Sequence, residues 1–93
     1  MIPKSFQLMG HTIKVRITKS VSEDNVGEWK PAQQEILVLP VGKNFTKSNQ
    51  EQTFWHETMH AIFDVLSYPD HYVDEKLVDR IGQCLHQIDQ TKK

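Results

Sequence analysis

One amphipathic segment constrains the fold of this chain most, because it requires a helix and places several polar side chains on it. The segment contains His56-Glu57-Thr58-Met59-His60, an H-E-x-x-H motif. On an α-helix, side chains four residues apart lie one turn apart on the same face, so His56 and His60 could bind one metal ion. Glu57 projects about 100° away from His56, where it could act as a general base on a water molecule.

The residues around the motif have the apolar spacing of a helix that buries one side. The apolar stripe consists of Phe54, Trp55, Met59, Ala61, Ile62, Val65 and Leu66. It lies on a different line of the helix from the two histidines, so the helix can pack while the motif stays accessible. Ser48 and Glu51 form a capping-box pattern, and Pro69 disfavours helix at the residue before it. We therefore expect a helix over residues 49–66.

Length and composition predict one cytoplasmic domain over residues 1–93. Of the 93 residues, 38% are hydrophobic and 25% are charged, as in ordinary globular domains. The formal net charge of -1 gives no indication of nucleic acid or anionic membrane as a partner. No apolar run approaches the ~20 residues of a membrane helix, and residues 1–6 lack the apolar core of a signal peptide. The one cysteine excludes an intramolecular disulfide, which suits a reducing compartment.

The first forty residues carry the strand signals. Residues 11–19 alternate polar and apolar side chains, and with residues 6–9 they predict either a hairpin that turns at or near Gly10 or one longer bent strand. Residues 26–30 are a short strand candidate. Residues 35–39 are almost continuously apolar, which predicts a strand covered on both faces.

A second helix is expected over residues 73–89. Its apolar arc consists of Val73, Leu77, Ile81, Cys84, Leu85 and Ile88. Cys84 lies on this arc, so we expect a buried, inert thiol, whereas His86 is expected to face solvent. Three or four strands followed by two helices predict an α+β fold, in which a small antiparallel or mixed sheet packs against two helices.

A metal site needs more than the two motif histidines, because a catalytic zinc site normally has three protein ligands. Glu75 is our first candidate, since it begins the second helix after a short chain reversal and points away from the apolar arc. Asp79, one turn later, could accept the outer N–H of a histidine, and Asp79 and Asp74 are substitutes as ligand. Asp64, one turn beyond His60, is expected to hydrogen-bond that histidine. The alternative is a solvated acidic edge at the start of the second helix.

The H-E-x-x-H motif, followed by Glu75-Lys76-Leu77-Val78-Asp79, resembles the gluzincin metallopeptidases. The small size further resembles compact phage- and prophage-encoded metallopeptidases of the ImmA/IrrE type. The likeness is specific over residues 52–86. It implies a zincin-like minimal fold with one zinc ion held by the two motif histidines and Glu75, and with Asp79 supporting a histidine. It also implies peptide-bond hydrolysis with Glu57 as general base.

By the same resemblance, residues 26–30 form a strand at the sheet edge that pairs with an extended peptide or protein substrate. The substrate contacts are expected at Gly27, Glu28 and Trp29. His71 and Tyr72, together with Tyr68, are the nearby candidates for stabilising the transition state.

The chain also departs from the resemblance. Larger gluzincins have a further subdomain that closes the cleft, and this chain ends soon after Glu75. An open cleft leaves a second interpretation, a non-catalytic zinc-bearing interaction or regulatory module of phage or prophage origin. The presence of Glu57 favours the peptidase, because a purely structural metal site does not need a base.

Overall fold

The structure is a computed structural model that describes residues 2–22 and 24–93. Over these residues the chain forms β1 (Ser5–Leu8), β2 (His11–Ile17), β3 (Gly27–Lys30), β4 (Glu35–Val38), α1 (Lys47–Val65), α2 (Pro69–Tyr72) and α3 (Glu75–Thr91). The strands form one mixed sheet in the order β1-β2-β4-β3. The expected α+β class is therefore confirmed. No helix among the described residues is both long enough and apolar enough to cross a membrane.

The sheet begins with the expected hairpin at Gly10. Leu8 lies opposite His11, so Met9 and Gly10 form a two-residue turn. Both turn residues have positive φ, 50° and 83° respectively, as in the turns that suit the twist of a hairpin. Strand β2 then pairs parallel with β4, and β3 pairs antiparallel with β4. Strand β3 consequently lies at one edge of the sheet, the position that the resemblance implied.

Strand β4 lies at the centre of the core, as its apolar run predicted. Ile36, Leu37 and Val38 are each no more than 1% exposed, so both faces of this strand are covered. Helix α1 packs on β3 and β4, and Phe54 on α1 joins the same core cluster. Helix α3 packs mainly on α1 rather than on the sheet. The fold therefore has three layers, with the motif helix in the middle.

Helix α1 begins two residues earlier than the capping-box pattern predicted. Thr46 is the N-cap, and its hydroxyl accepts a hydrogen bond from the Asn49 backbone N–H at 3.1 Å. The assignment of Ser48 as the cap was wrong. Glu51 is buried against α3, where it accepts a hydrogen bond from Gln90 Nε2 at 3.4 Å. Burial of Glu51 makes it part of the helix packing instead of the cap.

Pro69 begins a helix as well as following one. It is the first residue of α2, where its missing N–H is no loss because that N–H would have no partner within the helix. Asp74 caps α3, since its Oδ1 accepts a hydrogen bond from the Leu77 backbone N–H at 3.1 Å. This role explains why α3 starts at Glu75 and not at Val73.

The expected apolar arc of α3 was wrong for half of its members, whereas Leu77, Ile81 and Leu85 are half-buried. Val78 and Gly82 are the buried residues of α3, whereas Val73 and Ile88 are 71% and 60% exposed. Cys84 is exposed and not buried as expected. His86 was expected to face solvent, yet it is half-buried and its Nε2 atom is buried. Helix α3 is therefore rotated about its axis relative to the predicted orientation. Gly82, which has no side chain that an apolar pattern could register, faces α1.

Candidate metal centre

Three side chains converge where the start of α3 crosses the motif helix. His60 Nε2 lies 2.9 Å from Glu75 Oε1 and 3.1 Å from Oε2. His56 Nε2 lies 3.6 Å from the same Oε1 atom. One ligand atom from each residue lies within 4.8 Å of the others. His56, His60 and Glu75 could therefore bind a single ion.

The donor atoms of this group and its two distances from Glu75 to the histidines are compatible with zinc. A tetrahedral zinc ion with ligand distances of roughly 2.0–2.1 Å separates its ligand atoms by about 3.3 Å. The distances from Glu75 Oε1 to the two histidine nitrogens, 2.9 and 3.6 Å, lie on either side of that value. Two imidazoles and one carboxylate form a donor set typical of catalytic zinc, with the fourth position open.

Asp79 lies behind His56, as expected. Its Oδ1 is 3.3 Å from His56 Nδ1, and its Oδ2 accepts a hydrogen bond from Gln83 Nε2 at 2.7 Å. A carboxylate at Nδ1 holds the proton on that nitrogen and leaves Nε2 as the electron-pair donor. Asp79 thus lies at the Nδ1 side of His56, while Glu75 faces the Nε2 atoms of both histidines.

The structure does not bring Asp64 to His60. Asp64 Oδ2 instead accepts a hydrogen bond from the Trp29 indole Nε1 at 2.9 Å. His60 Nδ1 is buried and has no hydrogen-bond partner within residues 2–22 and 24–93. The expectation for Asp64 was therefore wrong, because the indole N–H of a nearly buried Trp29 needs the same acceptor. Asp64 connects α1 to β3 rather than supporting a ligand.

Gly82 sets the distance between the two helices at the site, and sequence reasoning missed it. A Cβ atom built at Gly82 would lie 3.2 Å from the Cα and N atoms of His56. Glu75, Val78, Asp79 and Gly82 are spaced i, i+3, i+4 and i+7, so they share the face that packs on α1. A glycine inside a helical pattern was the available signal, because it often marks a close approach of two backbones.

Glu57 lies in the same cleft as His56, His60 and Glu75. Burial raises the pKa of its carboxyl from 4.5 to about 7. His56 lowers this pKa, the carboxylates of Glu75 and Glu28 raise it, and the Trp29 backbone N–H lowers it. A cation bound by the neighbouring ligands would lower the pKa of Glu57 further and so favour the charged form that a general base needs.

Of the three residues proposed to stabilise a transition state, His71, Tyr72 and Tyr68, only Tyr72 lines the cleft that contains His56, His60 and Glu75. Its ring packs edge-on against His60, with centroids 4.8 Å apart. Burial, followed by the charges of Asp64, Glu57 and Glu75, raises the pKa of Tyr72, so its hydroxyl remains a donor at neutral pH. His71 is exposed and packs against the rings of Phe63 and Tyr68.

Three adjoining clefts follow β3 past this site. The central cleft, of about 480 Å³, is lined by Gly27, Glu28, Trp29, His56, Glu57, His60, Tyr72 and Glu75, among others. The polar cleft, of about 420 Å³, adjoins it at Gly27 and includes Asn49, Gln52 and Thr53. The apolar cleft, of about 480 Å³, adjoins it at Tyr72 and Val73 and includes Phe63, Tyr68 and Pro69.

The outward groups of β3 line this path. The Leu39 N–H donates to the Val26 carbonyl, so the alternating pattern of an antiparallel pair turns the N–H and C=O groups of Gly27 and Trp29 away from β4. Gly27 also lies very close to α1. A Cβ atom there would be 2.5 Å from Thr53 Cγ2 and 3.1 Å from Glu57 Cγ. A side chain at this position would displace the residues that form the cleft.

Comparison with protein-family models, with curated proteins and with solved structures found no match. The function of this chain is therefore inferred from the residues of its site.

Proposed function

We propose that this protein is a zinc-dependent peptidase of gluzincin type that hydrolyses a peptide bond in an extended substrate. One observation supports the proposal most: two histidines, Glu75 and the carboxyl of Glu57 line a single cleft beside an edge strand. A structural zinc site would use its ligands to close the coordination sphere. Here the ligand group faces a cleft with room for a substrate and a base.

His56, His60 and Glu75 would hold the ion. Zinc in that position supplies Lewis acidity, which polarises a peptide carbonyl and makes water more acidic. Glu57 takes a proton from the attacking water as the oxygen of that water bonds to the carbonyl carbon. Glu57 then gives that proton to the amide nitrogen as the C–N bond breaks. The second proton of the water stays on the new carboxyl group and passes to the amine, so the products are a carboxylate and an ammonium group. Tyr72 donates its O–H to the oxygen that gains negative charge.

Strand β3 would hold the substrate by main-chain hydrogen bonds. Gly27 and Trp29 are buried, and the N–H and C=O of Gly27 and the C=O of Trp29 are directed away from β4, towards the side on which an added strand would pair. Such a strand would pass close to Glu57, because a Cβ atom built at Gly27 would lie 3.1 Å from Glu57 Cγ. Edge pairing therefore positions the scissile bond without a separate binding domain.

A reducing compartment such as the cytoplasm is proposed as the location of this protein. The thiol of Cys84 is free and exposed in the structure. An exposed thiol stays reduced where glutathione and thioredoxin maintain thiols, and it is prone to oxidation elsewhere. Labelling of Cys84 by a thiol reagent in freshly opened cells would test this location.

The experiment that tests the function compares wild type with Glu57→Gln on a peptide library, with zinc content measured in both. Glu57→Gln keeps the three ligands, so it should retain zinc and the fold. Its cleavage rate should fall by about 10²–10⁴-fold, the usual contribution of a general base. Glu35→Gln is the matched control, because Glu35 pairs with Arg16 on the sheet and lies outside the three clefts.

Equal behaviour of wild type and Glu57→Gln towards every peptide would refute the peptidase proposal. If both proteins then bind zinc and one peptide without cleaving it, the non-catalytic interaction module is the better account. If Glu35→Gln also loses activity, the loss in Glu57→Gln would reflect lower stability of the fold rather than removal of a general base.

A further inference from the structure

We infer that the substrate carries an apolar or aromatic side chain on the N-terminal side of the cleaved bond and a polar or basic side chain on the C-terminal side. This inference rests on the proposed function. It follows from the contrast between the two clefts that adjoin the central cleft at its opposite ends.

The two flanking clefts differ in the chemistry of their walls. The polar cleft presents the amides of Asn25, Asn49 and Gln52, which can both donate and accept hydrogen bonds, beside the apolar side chains of Val26 and Phe45. The apolar cleft presents Phe63, Tyr68, Pro69, Tyr72 and Val73. Tyr68 and Val73 are 52% and 71% exposed, so a bound side chain would cover apolar surface that water now contacts. Covering that surface is favourable in proportion to its area.

Charge further restricts the residues that the clefts accept. No lysine or arginine is among the described residues that line the three clefts. Five carboxylates do line them, on Glu28, Glu57, Asp64, Glu75 and Asp79. Zinc and its ligand Glu75 leave a net negative cleft, which repels an acidic side chain and attracts a basic one.

The order of the two side chains follows from the direction of the added strand. Antiparallel pairing is the more stable arrangement per residue, and β3 already pairs in that way with β4. A peptide antiparallel to β3 enters beside Pro31, which borders the apolar cleft, and leaves beside Val26, which borders the polar cleft. The residue before the scissile bond therefore faces the apolar cleft.

A binding assay with zinc-loaded Glu57→Gln tests this inference without using catalysis. Short fluorescent peptides with an alanine background would carry Phe-Lys, Phe-Gln, Lys-Phe or Phe-Glu at their centre, and anisotropy would report their affinities. Phe-Lys and Phe-Gln should bind at least about tenfold more tightly than Lys-Phe or Phe-Glu, the usual range for one side chain in a matched pocket.

Two surface variants test whether the apolar cleft is responsible for the preference for Phe before the scissile bond. Val73→Asp places a charge in the apolar cleft, so it should remove most of the advantage of a peptide with Phe before Lys. Val41→Asp is the matched control, because Val41 is also exposed, at 53%, and lies outside the three clefts. Both side chains are on the surface, so neither change should unfold the protein.

The inference and the proposed function can fail separately. Equal affinities for Phe-Lys and Lys-Phe, or tightest binding of Phe-Glu, would overturn the inferred specificity even if wild type cleaves these peptides. Tighter binding of Lys-Phe would overturn the inferred direction. Selective binding of Phe-Lys without cleavage by wild type would instead support the specificity and refute the peptidase.

Discussion

Replacing Asp79 by alanine should weaken zinc binding about tenfold, at the lower end of the ~10–100-fold loss that follows removal of an outer partner of a ligand. Asp79 contacts His56 Nδ1 and not the ion, so the three ligands remain in place. Alanine is a better helix former than aspartate, so α3 should persist. The expected change is therefore one of affinity and not of folding.

The structure explains why the loss should be near the lower end. The Asp79 Oδ1 atom lies 3.3 Å from His56 Nδ1, beyond the usual range for an N–H···O hydrogen bond. The side chain is also 47% exposed, so water screens its charge. A tenfold loss corresponds to about 1.4 kcal/mol. Asp79→Asn keeps an oxygen that can accept the Nδ1 proton, so its loss should be smaller than that of Asp79→Ala.

Competition with a chromophoric zinc chelator at fixed pH would measure these affinities. Asp64→Asn is the matched control, because Asp64 is a carboxylate on the motif helix that contacts Trp29 rather than a histidine. Its zinc affinity should equal that of wild type. The reasoning fails if Asp79→Ala binds zinc as tightly as wild type, or if Asp64→Asn weakens binding to the same extent.

Three further predictions concern packing around the site. Gly82→Ala should lower zinc affinity because its methyl group meets the backbone of α1. Gly42→Ala is the control and should leave the affinity unchanged, because no described atom lies within 4 Å of its added Cβ. Competition with a zinc chelator compares the two variants. Gly27→Ala should destabilise the fold by about 1–3 kcal/mol in denaturant unfolding. Adding Thr53→Ser should recover part of that loss, since it removes the methyl group 2.5 Å away. Asp64→Ala should also destabilise by about 1–3 kcal/mol, because it leaves the indole N–H of β3 unpaired, while Asp64→Asn should retain most of the stability.

Local patterns in the sequence were sufficient to predict the strands, the two long helices and the approach of Glu75 to the two histidines. Alternation over β2 and the apolar run of β4 predicted their strands, and the i, i+4 histidines predicted a helix with a ligand face. These patterns depend on the periodicity of one element, so they need no knowledge of its neighbours. Predicting that Glu75 lies beside the histidines required only the assumption that a second helix packs back along α1 after a short connection.

The predictions that failed depended on contacts between elements. The orientation of α3 was wrong because apolar periodicity gives no weight to Gly82, which forms the contact with α1. Cys84 is exposed for the same reason. Asp64 was assigned to His60 from spacing along one helix, whereas the competing donor, Trp29, comes from a strand far away in sequence. Spacing within one element does not reveal such competition.

Native mass spectrometry with zinc titration tests the central claim most directly, because it counts ions bound to the folded protein. Wild type should bind one zinc ion, and so should Glu57→Gln and the control His71→Ala. His56→Ala, His60→Ala and Glu75→Ala should each lose that ion at the same zinc concentration. The account is contradicted if wild type binds no zinc, or if Glu75→Ala retains the ion while His71→Ala loses it.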